Sequence, residues 1–367
     1  LMRSSAASDV YKRQKEFRAT FEIKGKALYP KLDVLFAMMR EILMESKLGD
    51  EKRLKEILSM LKTRLQTSFL SAGHTTAVLR SLSYTSPIAR FRDITSGIGF
   101  YEVVKDLEEN FEERKELLIE NLKKIAGRIF RKENLMLSYT SAQEGLAVLE
   151  KAVPQFADSL HTGEKESHGQ CIIHCKKRNE GFRTSSKVQY VARTGNFIDG
   201  GAEYTGALQI LKVILSYDYL WQNVRVKGGA YGCMSGFNRI GEGYLVSYRD
   251  PNLEKTMEIY EGVVDYLKNF DIDDRDMNKF IIGTISNLDR PMNPAAKGSR
   301  SLNLYMNRIT EEMIRREREQ ILDAQQEDIR GLATVLEAVL AAGELCVIGS
   351  EEKIEEAKEM FGEIRTL

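Results

Sequence analysis

Two stretches of this chain repeat one order of elements, and that duplication limits the folds open to it. In the first stretch Phe17, Ala19, Phe21 and Ile23 share one face of an alternating run, which predicts a strand. Pro30 then stands near a helix start, where its missing N–H costs nothing. Leu32, Leu35, Phe36, Met39, Ile42 and Leu43 recur at helical spacing behind it. Gly49-Asp50 breaks that helix, and a second carries Leu54, Ile57, Leu58, Leu61 and Leu65. In the second stretch 244–248 reads as a strand, Asp250 as a helix cap and Pro251 as a first helical position. Leu253, Met257, Tyr260, Val263, Val264 and Leu267 form the stripe. An Asp-rich break (Asp271, Asp273, Asp274) leads into a helix with Phe280, Ile281, Ile285 and Leu288.

The two stretches also end alike. A strand over 134–139 precedes Ser141-Ala-Gln-Glu144, the residues of a capping box, and a helix with Leu146, Val148, Leu149 and Val153. A strand over 345–348 precedes Ser350-Glu351-Glu352, a cap followed by two acids at the positive end of a helix dipole. Pro30 thus answers to Pro251 and Ser141 to Ser350, with a longer insertion in the first unit. Strands separated by helix pairs imply an α+β class: two homologous domains, each an antiparallel sheet with helices packed on one face.

The second unit holds more before its 244–248 strand. A strand over 188–193, a helix over 205–220 and a strand over 230–237 are expected there. Almost nothing matches them before Phe17, so the first domain is expected to be N-terminally truncated, with exposed sheet edge. Residues 1–14 (LMRSSAASDVYKRQ) show no hydrophobic period and no apolar signal core, and read as a non-native artefact. The expected division is therefore 15–160 for the first domain, 161–186 for a polar linker and 187–367 for the second domain.

Composition excludes several classes. Lys plus Arg and Asp plus Glu are equal at 54 each, so charge gives no reason to propose nucleic acid or an anionic membrane. No apolar run approaches the roughly 18 residues that span a bilayer. Four scattered cysteines form no secreted disulfide framework, which favours a reducing compartment. Cys171, His174 and Cys175 sit close together, but the spacing is not that of a zinc pair, and Cys-Ile-Ile-His-Cys reads as an apolar, strand-like run. The four histidines (His74, His161, His168, His174) include no H-x-x-E-H or H-E-x-x-H pattern, so no metal ligands are expected. His74 is expected to be a structural, helix-associated residue. The charged stretches 108–132 and 315–319 read as solvated helix faces.

The stretch 217–249 carries the chemistry. At its centre, Arg225-Val-Lys-Gly228-Gly229-Ala-Tyr231-Gly232 combines a permanent cation with five donors, two residues free of Cβ and one phenolic donor. Spacing alone leaves a plainer reading open: Gly-Gly as a turn, Tyr231 in the core and Arg225 in a surface pair. No βαβ context supports a nucleotide loop.

This string, the following Gly243-Tyr-Leu-Val-Ser-Tyr248-Arg249-Asp250-Pro251-Asn-Leu253, Ser71-Ala-Gly-His74, 282–291 and Arg318-Glu-Gln-Ile-Leu322 resemble the C-terminal half of presequence proteases. These are members of the pitrilysin/insulinase (inverzincin) family of zinc metallopeptidases. The resemblance runs from about residue 17 to the end. It implies pitrilysin- or processing-peptidase-like domains, here the third and fourth of a four-domain parent that closes around short unfolded peptides. It implies zinc in the N-terminal half of the parent and none on this chain. It implies that Arg225 and Tyr231 are catalytic and substrate-binding donors to the peptide backbone and the oxyanion, on a loop made by Gly228 and Gly229. The implied partners are the zinc-bearing N-terminal half and an unstructured peptide, with no nucleic acid and no membrane. The chain alone is expected to be inactive, and the cytoplasm is the expected location. The alternative is a non-catalytic subunit of a two-chain peptidase of the same superfamily. A plain interaction scaffold is a third reading, which leaves Arg225 and Tyr231 unexplained.

Overall fold

The computed structural model describes residues 2–8, 17–163 and 173–367. It opens with strand β1 (Met2–Ser8), which pairs antiparallel with β2 (Phe17–Ile23). Helices α1 (Leu32–Met44), α2 (Glu51–Ser71), α3 (Gly73–Leu82), α4 (Pro87–Ser96), α5 (Ile98–Glu109), α6 (Phe111–Ile129) and α7 (Glu144–Asp158) follow. The segment set aside at residues 1–14 thus contributes a strand to this pair.

The second unit is built on a six-stranded sheet. Its strands are β3 (Glu180–Thr184), β4 (Tyr190–Asn196), β5 (Gly232–Phe237), β6 (Glu242–Tyr248), β7 (Glu344–Ser350) and β8 (Glu363–Thr366), in the order β5-β6-β4-β7-β3-β8. β5, β6, β4 and β7 pair antiparallel, whereas β3 runs parallel to both β7 and β8. Helices α8 (Ala207–Tyr217), α9 (Glu254–Glu261), α10 (Val263–Lys268), α11 (Asp274–Leu288), α12 (Pro294–Met306), α13 (Glu311–Leu322), α14 (Gln326–Gly331), α15 (Ala333–Ala341) and α16 (Glu351–Glu356) complete it. No helix among the described residues is long and apolar enough to cross a membrane.

The strands are apolar on both faces because both faces are covered. Val191, Leu245, Leu345 and Val347 join the main core with Leu211 and Ile214 of α8 and Leu336 and Val339 of α15. The alternate residues Tyr190, Ala192, Val246, Cys346 and Ile348 join Phe69, Ala77, Ile98 and Tyr101 of the first unit. The α+β class holds, with a mixed sheet. Its second covering layer comes from the first unit rather than from the sheet's own domain. At Gly73 a Cβ would lie 2.2 Å from the Tyr190 ring, so only glycine lets α3 start this close to β4.

A buried polar seam runs along this second layer. Arg80 of α3 is 1% exposed and donates through Nε and Nη2 to Glu180 of β3, at 2.6 and 2.9 Å. Its Nη1 donates to Asp93 of α4 at 2.7 Å, and the Tyr84 hydroxyl donates to Glu180 at 3.0 Å. Burial pushes the Glu180 carboxyl up, but the hydrogen bond and charge of Arg80 outweigh it and hold the group below its ordinary value. Further along, the hydroxyls of Ser81 and Thr194 are 2.8 Å apart, and Thr194 donates to Glu344 at 3.1 Å. Burial lifts the Glu344 carboxyl to about 7 against the hydrogen bonds of Thr85 and Thr194.

Several expected details are corrected. The run 134–139 forms no strand: Asn134 closes a short 3-10 turn, and among the described residues no neighbouring strand offers a ladder partner for the backbone that follows. The Ser141 capping box does not form: α7 starts at Glu144 behind Gln143 without a side-chain cap, and the Tyr29 hydroxyl takes the Ala142 N–H at 2.9 Å. Asp250 and Pro251 do not open a helix. The Asp250 carboxylate accepts from Thr256 Oγ1 and the Asn252 N–H, and α9 begins only at Glu254. The polar linker is shorter than 161–186, since β3 lies within it, and the charge of Glu180 is paired inside. Ile173, His174 and Cys175 lie outside any strand, and Cys171 falls outside the described residues.

The seam can be tested at two of its carboxylate sites. Arg80→Met leaves two buried carboxylates without their cation and is expected to cost about 3–5 kcal/mol, read from urea unfolding. A triple variant that also replaces Glu180 by Leu and Asp93 by Asn should recover most of that loss. Glu344 keeps a proton in the folded chain that the unfolded chain releases above about 4.5. Its contribution is therefore fully present below that pH, is lost as pH rises through about 7, and is flat above. The difference in urea midpoint between about pH 5 and about pH 8, worth ~3 kcal/mol at most, should shrink in Glu344→Gln. An unchanged slope in that variant would rule Glu344 out as its source.

Candidate functional site

The site is formed where α8 hands over to β5. After α8 the chain makes one wide turn, Trp221–Val226, in which the Lys227 N–H reaches back five residues to the Gln222 carbonyl at 3.0 Å. Such π turns are rare and recur at functional sites. The turn lifts Arg225 out of the core beneath, where Val224 is fully buried. The guanidinium of Arg225 stacks on the Trp221 ring at 3.8 Å.

The two glycines have separate tasks. At Gly228 a Cβ would stand 2.5 Å from the Val224 carbonyl oxygen. Gly229 has φ +81°, a region that other residues enter at a cost. Their backbone is tied in place: the Gly229 N–H donates to the Arg225 carbonyl at 2.9 Å, and Asn252 Nδ2 donates to the Gly228 carbonyl at 2.6 Å. This reversal delivers Tyr231 to the head of β5.

Tyr231 is held by its ring and open at its hydroxyl. Its N–H donates to the Arg249 carbonyl at 3.2 Å, and its ring meets the Tyr248 ring edge-on at 5.7 Å. Tyr248 in turn meets His74 of the first unit edge-on at 4.8 Å. Tyr231 stays 67% exposed. Burial holds the His74 imidazole below its ordinary value, so it is neutral at pH 7, and its Nδ1 has no partner among the described residues. The structural role expected of His74 fits this packing.

Arg225, Tyr231 and Gly229 line one open depression of about 470 Å³, together with Val226, Ala230 and Arg249. Of the plainer readings of this loop, Gly-Gly does form a turn, whereas Tyr231 is not in the core, and Arg225 is stacked on a ring and forms no ion pair among the described residues. In the sequence Arg249 reads only as part of the Ser-Tyr-Arg-Asp-Pro string and carries no role. Its signal is an arginine placed where a strand ends and Asp-Pro forces a bend. Its φ is +48°, and the following residue is pinned by Asp250 and Gln189 exchanging backbone bonds at 2.9 and 2.7 Å.

The depression offers donors and positive charge, and no Asp, Glu or His among the described residues lines it. Cys233 lies nearby, but burial lifts its thiol to about 11, so it is no nucleophile at neutral pH. Among the described residues no group of three or more His, Cys, Asp or Glu side chains could hold a metal ion. The residues here fit no zinc site. They can bind carbonyl oxygens, carboxylates and developing oxyanions, and they supply no base or activated water.

Comparison with known proteins gives the family. Residues 179–351 match the family described as PreP C-terminal domain, and residues 2–107 match a family described as associated with the C subgroup of M16 peptidases. The latter match includes most of the segment set aside at 1–14. Protein HypA of Clostridium perfringens is 36% identical over 97% of this chain, which covers 36% of that protein. Presequence protease 1, chloroplastic/mitochondrial, of Arabidopsis thaliana is 30% identical over 91% of this chain, covering 31% of that protein. The chain thus spans about a third of the length of these relatives. In fold it is similar to a protease from Helicobacter pylori (TM-score 0.59, 14% identity, 95% of this chain and 81% of that one). It is likewise similar to pitrilysin (TM-score 0.55, 11% identity, 87% of this chain and 33% of that one). The chain belongs to the presequence-protease subfamily of the M16 peptidases and corresponds to its C-terminal part.

Proposed function

We propose that this chain is the peptide-holding wall of a zinc metalloendopeptidase that degrades short unfolded peptides in a closed chamber. One observation carries the reading: Arg225 and Tyr231 line the same depression, shaped by Gly228 and Gly229, with no acid among its described lining residues. In this role Arg225 and Tyr231 donate to the peptide backbone and to the oxygen that becomes negative as the carbonyl is attacked. Such donors act most strongly where charge develops and water is excluded. The zinc and its water are assigned to a separate N-terminal half, as the resemblance implies. Val34, Met38 and Ile42 form an exposed apolar stripe on α1, a face suited to contact with the rest of a longer protein. The cytoplasm is the proposed location.

Two outcomes test this. The purified chain, supplied with zinc and an unstructured fluorogenic peptide, should show no cleavage above the uncatalysed rate; robust zinc-dependent hydrolysis would sink the division of labour proposed. In the full-length peptidase Tyr231→Phe should lower kcat by about 10²–10³ with little change in KM. A wild-type kcat in that variant would remove Tyr231 from the reaction.

A further inference from the structure

We infer that the depression beside Gly229 binds a carboxylate of the peptide, and that Arg249 is the residue that selects it. This rests on the peptide-holding reading above and names a substrate feature within it. Two arginines and one tyrosine line the same space, with no acid among its lining residues. Stabilising a peptide carbonyl requires hydrogen-bond donors. It does not require a second full positive charge, which Arg249 adds. The immediate neighbours of both cations are aromatic: Arg225 lies over Trp221, and Arg249 lies 5.5 Å from the Tyr248 ring centre. Neither forms an ion pair among the described residues. Arg249 also hydrogen-bonds the Tyr190 side chain; the five-donor fork of an arginine leaves further donors, and planar pairing with a carboxylate is the interaction it makes best.

The backbone supports the same assignment. Arg249 sits at φ +48°, a left-handed region that non-glycine residues enter at a cost. The strain is held by fixed neighbours: Asp250 pairs with Gln189, and the Arg249 carbonyl accepts the Tyr231 N–H. Arg249 and Tyr231 are thereby locked side by side, so a group bound by one lies within reach of the other. A peptide can present a carboxylate at its C-terminus or on an Asp or Glu side chain.

Trp221 is the one tryptophan of the chain and lies directly under Arg225, so its fluorescence reports on the depression. Three acetylated alanine-based pentapeptides separate the cases: one with a free C-terminus, one amidated, and one amidated with a central Glu. Titrated against the whole chain, a carboxylate-bearing peptide should bind roughly ten- to a hundredfold tighter than the neutral amide. The preferred one identifies the source of the carboxylate. Arg249→Gln should abolish the preference, with the far-UV circular dichroism of the wild type. Equal binding of all three peptides, or a preference that survives in Arg249→Gln, overturns the carboxylate assignment and leaves the peptide-holding reading intact. If no peptide perturbs Trp221 at millimolar concentration, both fail.

Discussion

Arg80 makes three charge-assisted hydrogen bonds to two carboxylates from a position nearly closed to water, and the relation between the two units depends on it. Burying three charges is costly, and their mutual attraction repays the cost only if the geometry is complete. Here it is. Both oxygens of Glu180 are used by Arg80, Tyr84 adds to one of them, and Asp93 also accepts from Arg90 and from the Gly99 N–H. Any slide of α3 along the sheet would break several of these bonds at once. The apolar contacts of Ala77 and Phe69 with the strands favour closeness without fixing register; the arginine fixes register.

That register reaches the candidate site. The helix that carries Arg80 begins at Gly73 and His74, against Tyr190 and Tyr248. Tyr248 then supports Tyr231. A chain of ring contacts therefore joins the first unit to an exposed phenol of the second. The Tyr248 hydroxyl donates to the Ser71 carbonyl at 3.4 Å, which ties the same ring to the end of α2. Edge-to-face contacts of this kind restrict tilt at modest energy. The ring of Tyr231 is thus ordered before any ligand arrives, while its hydroxyl stays free.

Much of the second unit is legible in the sequence because its strands and helices carry strong periods. The strand expected over 244–248, the α11 stripe and the Ser350 cap all lie where the residues place them. The Arg225–Tyr231 string is visible as an odd combination of residue types, although only resemblance singles it out. Other features depend on partners distant in sequence. Glu180 falls within the expected polar linker 161–186 until Arg80, a hundred residues earlier, is brought against it. The run 134–139 has strand-like residues but no neighbour to bond, and so forms none. Arg249 looks like an ordinary surface arginine, because neither its positive φ nor its place beside Tyr231 is written in local spacing.

The openness of the site has a consequence for how its donors work. In water an exposed phenol or guanidinium exchanges one hydrogen bond for another and gains little on meeting a carbonyl. Excluding water raises the same interaction severalfold, because the effective dielectric falls. Tyr231 is two-thirds exposed, and the depression opens to solvent, so the chain alone offers orientation without strength. A second wall closing over the depression would add strength without moving a residue on this side, since the glycine loop, the ring stack and the Asp250–Gln189 pair already set the positions. Under the proposed function, preorganisation on this wall and desolvation by another would make a coherent division of labour. The buried Arg80 seam holds this side in place.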